Sequence, residues 1–129
     1  MVNSTIVHFE IPADDIEKLV KFYTGLFGWK IRATPMGPMD YWLIETVPVD
    51  EDGTPTGPGV NGRMYRKESP DQVAVNYVEI EDIDESIEKL KALGGAIVQG
   101  KQEVPGVGYV AVGEDPEGNP IAMIQSLQE

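Results

Sequence analysis

Residues 14–31, "DDIEKLVKFYTGLFGWKI", align with residues 81–98, "EDIDESIEKLKALGGAIV", at an offset of 67. Asp15 falls on Asp82, Ile16 on Ile83, Val20 on Ile87, Leu26 on Leu93 and Gly28 on Gly95. Each copy runs on into a Pro/Gly loop and an aromatic-led apolar run. These are "GPMDYWLIET" (37–46) and "PGVGYVAVGE" (105–114), with Tyr41 matching Tyr109. Self-similarity at a fixed offset means one structural unit is written twice.

Both copies start with a helix. Ile16, Leu19, Val20, Tyr23, Leu26 and Phe27 form a stripe at helical spacing, and so do Ile83, Ile87, Leu90 and Leu93. Asp14 with Glu17, and Asp82 with Glu85, imitate capping boxes. Gly28 and Gly94-Gly95 are the natural stops. Alternating apolar runs predict strands over 5–11, 29–34, 41–48 and 59–66, then 73–80, 96–101, 108–113 and 120–125. The expected fold is therefore α+β: two βαβββ modules, 1–67 and 68–129, within one domain. With one helix per four strands, each sheet keeps an open face. Two open faces together would form a small-molecule cavity.

Composition excludes several classes. Ten Lys plus Arg against 22 Asp plus Glu give a net charge of −12, which repels nucleic acid and anionic membranes. No apolar run reaches the roughly 18–20 residues that span a bilayer, and no signal peptide is readable. Without cysteine there is no disulfide framework, no thiolate nucleophile and no Cys-ligated zinc. The default address is cytoplasmic.

The lone histidine lies in "VHFEIPADD" (7–15). On a strand His8 and Glu10 share a face, and Val7, Phe9 and Ile11 form the apolar set on the other. His8 is then a proton-transfer group oriented by Glu10, or a satisfied histidine in a wall. Arg63 either clamps a carboxylate or phosphate or pairs with one of the many acids. Asn76 interrupts the apolar run "VAVNYVEI" and should need a hydrogen-bond partner inside. Trp42, Tyr109 and Tyr77 are candidates for lining the cavity. Tyr41 and Trp42 are adjacent, so only one of that pair can do so.

The stretches "VHFEIPADDIEKLVKFYTGLFGW", "YWLIE", "VEIEDIDESIEKLKALGG" and "DPEGNPIAMIQ" resemble, in order, the vicinal oxygen chelate superfamily. This is the glyoxalase, bleomycin-resistance and extradiol dioxygenase group. The resemblance implies paired βαβββ modules in a curved, cup-like mixed sheet. It also implies divalent-metal ligands (His, Glu or Gln) on the first and last strand of each module. His8 is the only matching position: Val75 stands at its second-module counterpart, Ala122 (or Met123 if the register slips by one) at the last ligand position, and Arg63 (or Gly62 or Met64 beside it) on the fourth strand. The expectation is thus no resident cofactor. A distorted divalent-metal site using His8, Glu10 and Asn61 is the alternative. The expected function is binding of a small organic molecule in the cup, with His8 and Glu10 as catalytic candidates and Arg63 and Asn61 as ligand contacts. Two alternatives stand beside it: a metal-dependent lyase, isomerase or dioxygenase, and a protein that sequesters a drug or metabolite without chemistry. Whether the chain is an enzyme stays open. Homodimers are common among proteins of this kind and length, so a homodimer is expected.

Overall fold

The structure, a computed structural model, describes residues 3–36 and 39–127. It contains β1 (Ile6–Ala13), α1 (Ile16–Phe27), β2 (Lys30–Met36), β3 (Met39–Glu45) and β4 (Gly62–Arg66). There follow β5 (Val75–Glu79), α2 (Ile83–Ala92), β6 (Ala96–Val104), β7 (Gly108–Glu114) and β8 (Pro120–Ser126). The chain divides into two compact units, His8–Ala74 and Met1–Val7 with Val75–Glu129. Both are wired alike. In the first the strand order is β2-β3-β4-β1, antiparallel except that β4 runs parallel to β1. In the second it is β6-β7-β8-β5, with β8 parallel to β5. Each is a βαβββ module with a mixed sheet.

Local chemistry sets the helix ends. Asp15 is the N-cap of α1, and its carboxylate accepts from the Lys18 N–H at 3.1 Å. This corrects the Asp14 box by one residue. Asp14 is instead a well-exposed side chain with Lys67 Nζ at 3.7 Å. Gly28, at φ 74°, takes the left-handed turn that ends α1 and donates to the Thr24 carbonyl. In α2, Asp82 accepts from the Glu85 N–H as expected. The Gln125 side chain also receives the Ile83 N–H at 2.8 Å, pinning the helix start to β8.

Each sheet buries one face under its helix. In the first module Ala13, Ile16, Ile44 and Met64 are buried, with Phe9, Ile11, Trp29, Ile31 and Trp42 packed around them. A fully buried side chain such as Ile44 or Met64 contributes roughly 1.5–3 kcal/mol. The "FY…LFGW" signature supplies aromatic packing at the helix end: Tyr23 stacks on Trp29 at 5.2 Å, and Trp29 meets Phe9 at 5.9 Å. The second core is Ile83, Ala111 and Met123, flanked by Ile80, Ile87, Leu90 and Ile97. Met64 and Met123 are core residues of the two modules.

β4 begins at Gly62, later than the predicted 59. Two features explain this. Gly59 sits at φ 149°, and Asn61 is occupied by the preceding loop. Its Oδ1 accepts the Thr46 and Val47 N–H groups at 2.7 and 3.0 Å, while Nδ2 donates to the Val47 carbonyl at 3.2 Å. The Thr46 hydroxyl donates to the Val60 carbonyl at 2.6 Å, closing the clamp. At Gly62 a Cβ would lie 2.3 Å from the Phe9 carbonyl oxygen and 2.8 Å from its ring, so only glycine lets β4 pair with β1 there. The "DPEGN" turn is likewise a side-chain construction. Asp115 accepts from the Glu117 and Asn119 N–H groups and from Asn119 Nδ2.

Candidate functional site

The face of the first module turned away from α1 collects its polar chemistry. Phe9, Ile11 and Ala13 pack with the core, so strand alternation turns His8 and Glu10 the other way. Val7 does not share in that packing and is 40% exposed. On β4, Met64 is in the core, which leaves Arg63 and Tyr65 on the open face. On β3, Trp42 and Ile44 are inward, leaving Tyr41 and Leu43. Register then brings Glu10, Arg63 and Leu43 abreast on β1, β4 and β3.

Glu10 joins the group together. Its Oε2 accepts from Arg63 Nε at 2.5 Å and lies 3.3 Å from His8 Nε2. The Arg63 guanidinium also lies over the Tyr41 ring, 5.2 Å from its centroid. Among the described residues Glu10 is the only buried charged one. Burial alone would push its carboxyl up. The His8 hydrogen bond and the charges of Arg63 and His8 outweigh that and hold it below the usual carboxylate range. Glu10 is therefore a carboxylate at neutral pH. Its second oxygen has no hydrogen-bond partner among the described residues, and no buried side-chain atom is left unpaired there, so that oxygen reaches solvent. Tyr65, two residues after Arg63 on β4, shares its face by strand alternation. Burial, then the Glu10 charge, push its phenol up, so it stays protonated as a donor.

The other candidates have different tasks. Trp42 lies on the α1 side, with the Arg66 guanidinium 5.2 Å from its ring, so Tyr41 rather than Trp42 shares the face of Arg63. Tyr109 packs beside the second core with Lys101 Nζ at 4.6 Å, also on the helix side. Asn61 is the loop clamp described above, with its carboxamide oxygen fully used. Tyr77 alternates with Val78 and Ile80, and Ile80 packs beneath α2, so Tyr77 lies on the open face of the second module. Asn76 is exposed, and needs no interior partner. The two gaps beside α1, about 290 and 620 Å³, are lined by residues such as Val20, Ile31 and Trp42 or Trp29. Neither includes His8, Glu10 or Arg63, and the smaller offers a ligand only Glu17 and Lys21 as charged contacts.

A resident metal does not fit these residues. The side chain beside Glu10 is a guanidinium, which repels a cation and already holds the carboxylate. Val75 and Ala122 have no donor atoms in their side chains. Among the described residues no three His, Asp or Glu side chains are grouped to hold a metal ion. Nor is any described helix long and apolar enough to cross a membrane.

Two βαβββ modules, each with one strand face packed beneath a helix and the other left open, define an α+β class built by repetition. The chain belongs to the Glyoxalase/Bleomycin resistance protein/Dioxygenase superfamily, whose family model matches residues 5–123. It is 32% identical to a glyoxylase-like domain-containing protein of Didymella fabae over 74% of this chain and 72% of that one. It is 24% identical to a probable lactoylglutathione lyase of Vibrio parahaemolyticus, over 99% of this chain and 95% of the other. Among solved structures, methylmalonyl-CoA epimerase from Mycobacterium tuberculosis shares the fold, with TM-score 0.65 and 11% identity over 98% and 90% of the chains.

Proposed function

We propose that this chain binds a small organic molecule on the strand face carrying His8, Glu10 and Arg63, without a complete metal centre. The observation that carries this reading is the Glu10 carboxylate, drawn out of water and held between a guanidinium and an imidazole. Such a group is well suited to fix the orientation of a polar ligand. It is a weaker base than an ordinary glutamate, which favours binding over proton abstraction by Glu10 itself. The relatives named as a lyase and an epimerase support a transformation as well, with His8 as the group that would move a proton. The assembly proposed is a homodimer.

Native mass spectrometry and elemental analysis of freshly purified protein test the reading. The expected result is a co-purifying small molecule, released more readily from His8→Ala and Glu10→Gln, with well under one equivalent of Zn, Ni, Fe or Mn. Stoichiometric metal that is lost on His8→Ala would overturn it.

A further inference from the structure

We propose that Arg63 is a receptor for a small monocarboxylate, gripping it through the two terminal guanidinium nitrogens; this rests on the binding reading above and names its ligand class. The guanidinium is fixed on two sides. Nε is held by Glu10, and its flat face lies over Tyr41. The terminal nitrogens have no hydrogen-bond partner among the described residues, and the side chain is 41% exposed. A planar cation already oriented, with its outer edge open, matches the two oxygens of a carboxylate and loses little freedom on binding. The neighbouring basic groups of this module are committed: Arg32 pairs with Glu45 at 3.0 Å, Arg66 covers Trp42, and Lys67 lies near Asp14.

Charge decides between anion types. Glu10 and Arg63 cancel, so one further negative charge is tolerated close to Glu10, whereas a phosphate dianion would place two there. Leu43 beside Arg63, with Tyr41 and Tyr65, offers apolar surface to the body of the ligand. The net charge of −12 opposes any anion at long range, so recognition has to be this short-range contact. Screening that repulsion with salt should therefore leave carboxylate binding intact or strengthen it, the reverse of what a bound cation would show.

Sodium benzoate and its neutral analogue benzamide provide the test, titrated into the full chain while the backbone amide resonances of Glu10, Leu43 and position 63, which parent and variants share, are followed by NMR. Benzoate is expected to give a saturable shift that persists in added salt, and benzamide none. R63K keeps the charge but loses the planar edge, and should bind at least about tenfold more weakly. R63M should not bind; if it does not fold, R63K decides alone. No saturable shift with benzoate, equal binding of benzamide, or unchanged affinity in R63K would overturn the proposal. A neutral molecule co-purifying in a Glu10-dependent way, with no benzoate binding, would sink the carboxylate assignment and leave the site assignment standing.

Discussion

Glu10 receives both of its partners on one oxygen, which makes the pH response of the protein a property of a single side chain. Its carboxyl is held below the ordinary value of 4.5 in the folded protein. A carboxyl lowered by folding stabilises the native state fully above its unfolded value. That contribution fades as pH falls through the lowered folded value. Charged hydrogen bonds of this kind contribute roughly 1.5–3 kcal/mol. Arg63 is substantially exposed, so the low end applies here. Glu10→Gln should accordingly lower the melting temperature most above pH 5, and the gap to the parent protein should narrow as the pH falls below 4.5 and through the lowered folded value. Thermal melts of both proteins across that range check it. A gap that widens on acidification would mean that Glu10 is not held as a carboxylate in the native state.

At the level of elements, the repeated helices were readable because their apolar stripes, acidic caps and glycine stops agree with one another. Every predicted strand is present, since alternation and turn residues mark strands locally. What could not be read was set by partners distant in sequence. The choice between Tyr41 and Trp42 depends on which of them shares a face with Arg63, and that follows from the pairing of Leu43 with Arg63 across β3 and β4. The late start of β4 depends on Asn61 serving Thr46 and Val47, fifteen and fourteen positions earlier. Arg63 was legible as an ion-pair former, but its partner among so many acids was not. His8 and Glu10 were legible as a pair because period-2 geometry needs no tertiary information. Tyr65 was equally available by that rule, counted from Arg63 instead.

For the whole molecule the dominant quantity is the net charge of −12 on a 14.2 kDa chain. Bringing two such chains together in the proposed homodimer costs electrostatic free energy that salt reduces. Light scattering at micromolar concentration should give twice the chain mass at physiological ionic strength, shifting toward the single-chain mass as salt is withdrawn. A particle of one chain mass at every salt concentration would contradict the dimer.

The Asn61 clamp also bears on how the protein ages. An asparagine followed by glycine is prone to lose ammonia, because the next backbone nitrogen can attack its carboxamide carbon. Asn61 and Gly62 form such a pair, yet the carboxamide is tied to Thr46 and Val47, and Gly62 is paired with Phe9 and Ile44. Attack requires both to let go. The native fold should therefore preserve Asn61, and peptide mapping after prolonged storage should find far less conversion to aspartate in folded than in urea-unfolded protein. Equal conversion would show that the clamp opens freely. Once formed, the aspartate would set an acceptor-only carboxylate against the Val47 carbonyl, so the damage would loosen the very contact that had delayed it.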